Sequence, residues 1–266
     1  MKLNNISKLL VFGFFGSLFF ERSLWMIYLH GKGFTISEIS FFQIGLNVSM
    51  FIFEIPSGFI SDRFGRKSAM LLGSAFTIIY FMGMLFANSA FSIFLFFVIY
   101  GFGIALLSGT EQSLIYDELL YKRRKKLYHQ IIARYNFISI SALAFSSFLG
   151  VIAEYNNWDL IFYLGIVSQT IAIVILYFVT DFYKRNLIDE TNKVSIFDIL
   201  KNTPRNIYAL IIPLAVFQGV FSSIVLYYQA VLKDNGFSLL LISGIYSISF
   251  YLAPFLQFYL VQLLVL

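Results

Sequence analysis

The chain has 266 residues, of which 59% are hydrophobic and 12% charged, against about 45–50% apolar and about 25% charged in soluble domains. A mean hydropathy of +0.81 excludes an ordinary soluble domain and points to a polytopic membrane protein. The formal net charge of +5 is spread over loops rather than gathered into a nucleic-acid face, and the lack of cysteine excludes a disulfide framework and any thiolate metal site.

At about 20 apolar residues per span, the sequence predicts helices over 9–29, 39–60, 69–87, 91–115, 131–153, 160–180, 206–232 and 239–262. The first follows a basic start, Lys2 to Lys8, in the manner of a signal peptide. Its apolar stretch is too long for one, however, contains Glu21 and Arg22, and is followed by no small-residue cleavage motif, so it is read as a retained helix. Bases cluster in alternate loops: Lys2 and Lys8; Arg63, Arg66 and Lys67; Lys122 to Lys126; Lys184, Arg185, Lys193, Lys201 and Arg205. The other loops carry only Lys32 and Lys233. The positive-inside rule then places the amino terminus and the basic loops in the cytoplasm.

Between the second and third predicted spans lies Gly58-Phe-Ile-Ser-Asp62-Arg63-Phe-Gly65-Arg66-Lys67, preceded by Pro56. This loop resembles the one between helices 2 and 3 of the major facilitator superfamily (MFS) transporters, which the family fills with a glycine, an acid, a base, a second glycine and two further bases at this spacing. Gly58, Asp62, Arg63, Gly65, Arg66 and Lys67 all match. The resemblance implies an all-α, polytopic membrane helical bundle. Its expected division is a six-helix N-terminal half over 1–180, a central cytoplasmic linker over 181–205, and the first two helices of the second half over 206–266. An internal repeat agrees: Gly33-Phe34 opens the second predicted helix as Gly236-Phe237 opens the eighth. The resemblance also implies a small-molecule substrate, secondary transport by alternating access across the bacterial plasma (inner) membrane, and a conformational latch. In that latch Asp62 faces the partner half, while Arg63, Arg66 and Lys67 contact nearby acids and lipid headgroups. Import, export and the coupling ion are not specified by these motifs.

Charges inside spans are the sharpest functional signals, because each costs about 2.5–3.5 kcal/mol near the bilayer centre and needs a partner or water. Glu21 and Arg22 lie past the middle of the first predicted helix and, as helical neighbours, point about 100° apart. Glu21, Arg22, Trp25 and Tyr28 are candidate cavity residues, with a structural ion pair as the alternative. Glu111 near the end of the fourth predicted helix and Arg134 early in the fifth complete the set, paired as Glu111 with Arg134 or as Asp117 with Arg134. Helix 4 lacks the mid-helix arginine that the family's proton-linked members often carry, and helix 5 lacks the Gly-Pro pair of drug-proton antiporters. Proton coupling and drug export therefore have no support from those motifs.

No Walker A sequence is present, which argues against ATP-driven transport, and no cofactor is expected. His30 and His129 lie at opposite membrane faces, so they do not make a metal site. The competing readings are an intramembrane enzyme, which would need a nucleophile and base at matched depth, and a non-transporting membrane fragment or interaction protein of the same fold. Aligning the repeats sets Gly58 opposite Val261 and Asp62 opposite Val265. The chain is thus expected to be truncated or split, and inactive without a C-terminal half.

Overall fold

A computed structural model describes residues 4–155, 158–181, 205–249 and 252. Among them the structure is all-helical: α1 Asn5–Gly16, α2 Trp25–Gly31, α3 Ile36–Phe64, α4 Arg66–Phe86, α5 Ala90–Leu107, α6 Thr110–Tyr121, α7 Tyr128–Leu149, α8 Trp158–Tyr177, α9 Arg205–Asp234 and α10 Leu239–Ser249. Short 3₁₀ turns, Lys125–Leu127 and Gly150–Tyr155, flank α7. Five helical stretches of the described residues are long and apolar enough to cross a membrane: Ile36–Phe64, Arg66–Phe86, Ala90–Tyr121, Lys125–Ile152 and Trp158–Tyr177. The interior of the predicted linker and the end of the predicted helix over 239–262 lie outside the described residues.

Two predicted helices are interrupted. The first, expected to be continuous over 9–29, ends at Gly16 and resumes at Trp25. The fourth divides into α5 and α6 at Ser108 and Gly109, where Gly109 takes φ +71. Elsewhere the boundaries follow local chemistry. Thr35 and Glu38 form a capping box that starts α3, and Ser89 and Ser92 form one for α5. Gly65, at φ +93, makes the tight turn from α3 to α4; a Cβ there would sit 3.1 Å from the Asp181 carboxylate.

The two repeat glycines adopt one geometry. Gly33 has φ +95 and Gly236 φ +81. Phe34 N–H donates to Leu29 O at 3.2 Å and Phe237 N–H to Leu232 O at 3.1 Å. In each case the bond reaches five residues back and closes the preceding helix in a Schellman-type cap.

In lipid the helices gain nothing by hiding apolar surface from one another, so close backbone approach and polar ties must hold the bundle. A Cβ on Gly101 of α5 would fall 2.4 Å from Leu46 O of α3, and one on Gly73 of α4 would fall 2.8 Å from Gly103 O of α5. These glycines let three helices touch backbone to backbone. The buried side chains form two clusters. One, around Leu9, Phe12, Met70, Leu114, Leu119 and Leu176, lies at the basic end, near Lys8, Lys67 and Lys122. The larger, aromatic one around Trp25, Phe42, Tyr80, Phe81, Phe97 and Phe162 fills the far end. Both helix interruptions fall where one cluster gives way to the other.

Candidate functional site

Residues 17–24 leave backbone groups that a continuous helix would pair internally, and side chains of α7 and α8 take them up. Ser146 Oγ accepts from Phe19 N–H at 2.9 Å, Gln169 Nε2 donates to Gly16 O at 2.8 Å, and Ser168 Oγ donates to Leu18 O at 3.3 Å. Ser23 Oγ donates to Ser147 O at 2.8 Å. Irregular backbone at membrane depth is tolerated only where protein or a polar cavity satisfies it in this way. The interruption is therefore a built feature of helix 1.

Glu21 and Arg22 lie inside it. Glu21 is 1% exposed, and its Oε2 has neither a hydrogen bond nor an ion pair. Tyr80 of α4, Tyr100 of α5 and Tyr246 of α10 face it. The Tyr80 and Tyr100 rings stack at 4.3 Å, and Trp25 packs on Phe97 at 5.4 Å. Arg22 hydrogen-bonds the Tyr246 hydroxyl. About one turn before Tyr246, Ser243 Oγ lies 3.2 Å from Ser23 Oγ, and at the next position after Tyr246, Ser247 Oγ donates to Ala144 O at 2.9 Å. The α1–α2 interruption and α7 are thus joined to α10 by a row of polar contacts. At the far end, the Ser40 and Tyr227 hydroxyls lie 2.8 Å apart and link α3 to α9.

The remaining candidates separate. Tyr28 donates to Met84 O at 2.8 Å and packs on Phe162 of α8. Beside it Lys32 donates to Met84 O and Ala87 O, and burial lowers its ammonium from the usual lysine range against the attraction of Asp159. The expected pairing of Glu111 with Arg134 is not formed. Glu111 instead bonds the Tyr135 hydroxyl, and Asp117 pairs with Arg66 at 2.7 Å. The reason is helical phase: consecutive residues of α7 point about 100° apart. Tyr135 turns inward against Gly13 of α1, and Arg134 turns out into a cleft of about 360 Å³ with Leu10, Ala133, Phe137 and Ile138.

The Gly58 to Lys67 segment straddles α3 and α4. Arg66 holds Asp117 of α6, and Lys67 donates to Tyr177 O at 2.6 Å and Val179 O at 2.8 Å, capping the carboxyl end of α8. Lys67 N–H also donates to Asp181 at 3.1 Å. Gly58, Asp62 and Arg63 are exposed; Arg63 stacks over Phe59 and Phe64 at 5.9 and 5.6 Å. Sequence reasoning missed Ser23, Ser146, Ser168, Gln169, Ser243 and Tyr246. Paired polar residues within apolar spans, Ser146-Ser147 and Ser168-Gln169, and serines one turn apart at 243 and 247, are the available signals.

Membrane-length helices, close glycine packing and polar ties at helix interruptions define a multi-pass membrane helical bundle. A sequence profile of the Major Facilitator Superfamily matches residues 10–264, and the chain belongs to that superfamily. It is 32% identical over 182 residues to an uncharacterized transporter of Buchnera aphidicola subsp. Schizaphis graminum (strain Sg), a match covering 63% of this chain and 40% of the relative. It is 25% identical to the MFS-type transporter YxaM of Bacillus subtilis (strain 168), covering 81% of this chain and 55% of that protein. The matches thus span about half the length of these relatives. Among solved structures, a mutant of the nucleoside transporter NupG aligns with a TM-score of 0.75 at 13% identity, covering 93% of this chain and 65% of that one. A D-xylose-proton symporter aligns with a TM-score of 0.60 at 14% identity, covering 93% and 64%. At these identities the likeness concerns the fold alone.

Proposed function

We propose that the chain belongs to a transporter that moves a small solute across the bacterial plasma membrane by alternating access, with residues 1–180 as one half of the bundle, 206–266 as the start of the other, and the basic end in the cytoplasm. The observation that carries this reading is the polar row from the α1–α2 interruption and α7 to α10: Arg22 with Tyr246, Ser23 with Ser243, and Ala144 with Ser247. Hydrogen bonds between two bodies can break and reform without rebuilding either. Buried serine hydroxyls make such a seam reversible in a way that interlocked aromatic rings would not. The matching Gly33 and Gly236 caps support duplicated halves. On this reading the α1–α7 cleft beside Arg134 borders the solute path from the cytoplasmic side.

The test is uptake and counterflow of a solute panel by the 266-residue chain in proteoliposomes. Saturable movement of one solute, abolished by locking Ser23→Cys to Ser243→Cys, supports the reading. An inserted, folded chain that moves none of the panel counts against transport by this chain alone.

A further inference from the structure

Glu21 has no task in that seam, although it lies beside it. The side chain is 1% exposed, and its neighbours Trp25, Tyr80, Phe97 and Tyr100 are 3%, 2%, 1% and 4% exposed, so no solute of any size reaches it in this conformation. One carboxylate oxygen is nevertheless unpartnered. A buried ion with an unsatisfied oxygen costs several kcal/mol, and none of the tyrosine hydroxyls around it bonds that oxygen. A proton is the ligand that needs no space and satisfies that oxygen. The titratable and charged groups facing Glu21 are Arg22 beside it, Tyr80 from α4, Tyr100 from α5 and Tyr246 from α10. Arg22 is the one cation of this set, and its guanidinium is bonded to Tyr246.

We propose that Glu21 is a proton site whose occupancy is linked to the Arg22–Tyr246 contact. With the contact closed, Arg22 is held by α10 and Glu21 keeps its proton. When α10 withdraws, water enters, Arg22 is released to stand against the Glu21 carboxylate, and the proton passes to water as hydronium. Return of α10 reverses the exchange, with no other bond made or broken. The irregular backbone of residues 17–24 allows two neighbours, which on a regular helix diverge, to meet. This rests on the alternating-access reading only for what moves α10; the proton site is read out separately.

The experiment is pH-difference infrared spectroscopy on the 266-residue chain in lipid nanodiscs. The expected result is a protonated-carboxyl C=O band that Glu21→Gln removes, Glu111→Gln leaves in place, and Glu21→Asp shifts in frequency. The aspartate variant keeps the test valid should the glutamine variant fold poorly. In the Ser23→Cys/Ser243→Cys protein, the disulfide should stop this band from following bulk pH, and reduction should restore its response. Survival of an unchanged band in Glu21→Gln overturns the proton site. An equal pH response in the oxidised and reduced protein, or failure of the pair to cross-link, overturns the link to α10. A solute assay that fails while the band behaves as expected would count against the transport reading and leave the proton site standing.

Discussion

Glu118 and Glu21 are both buried acids, 2% and 1% exposed, set against helix 1 at its two depths, yet they are treated in opposite ways. At the basic end Glu118 accepts from Asn5 of α1 at 2.8 Å and pairs with Lys122 at 2.5 Å. Asn5 goes on to donate to Thr180 O at 3.0 Å, Lys122 also reaches Asn4, and Lys8 donates to Phe178 O at 2.6 Å. Every acid of that lattice has a donor, and the lattice ties the start of helix 1 to the ends of α6 and α8. In the interruption, Glu21 has a cation as its chain neighbour that is already engaged by another helix. A satisfied charge holds helices together; a buried acid with an open oxygen costs stability and is kept for what it does.

The largest expected effect breaks the satisfied side of this contrast. Glu118→Ala strips a charged acceptor from Asn5 and Lys122 and should cost about 2–3 kcal/mol, in line with a lost hydrogen bond to a charged group at a buried position. Reversible unfolding in mixed detergent micelles measures it. A cost near zero would mean that the lattice does not hold helix 1 in place. Next comes Gln169→Leu, which removes the donor to Gly16 O and leaves that carbonyl buried; the expected cost is about 1–2 kcal/mol. The same unfolding measurement checks it. An unaffected protein would show that the interruption of helix 1 does not depend on α8.

That dependence explains what the sequence made legible. The loop glycines and most span boundaries are local signals, and they appear in the structure within a few residues of their expected places; the capping boxes at Thr35 and Ser89 are local too, although the sequence reading did not use them. The gap over 17–24 has no local signal, because Ser-Leu-Phe-Phe-Glu-Arg-Ser-Leu is apolar enough to continue a helix. Its satisfying partners, Ser146 and Gln169, lie 127 and 153 residues from the groups they bond. The Glu111–Arg134 expectation failed for a finer reason: depth along a helix is legible from residue counts, but rotation about its axis is not. One position on α7 separates a residue facing α1 from one facing the cleft.

Glu21→Gln tests the other side of the contrast and should move stability by less than about 1 kcal/mol, since the amide replaces a protonated, neutral carboxyl of the same size and shape. Unfolding beside Glu118→Ala in one detergent series gives the comparison directly. A loss as large as that of Glu118→Ala would make Glu21 a structural acid as well, held by a contact that the closed conformation needs.

The smallest effect is expected at Asp62, and it divides the charged loop into two working parts. Gly65, Arg66 and Lys67 are built into the fold: a positive-φ turn, an ion pair to Asp117, and a cap on α8. Asp62 sits one turn earlier on the exposed side of α3. Surface substitutions away from such features stay within about 0.5 kcal/mol, so Asp62→Asn should leave unfolding and membrane abundance unchanged, whereas Lys67→Met should release the end of α8 and lower both. The amide keeps the size of the carboxylate and removes only its charge. If the latch proposed for this loop operates, solute movement should fall in Asp62→Asn while stability holds. Normal transport kinetics in Asp62→Asn would confine the loop to its structural half, with Arg66 and Lys67 as its only working charges.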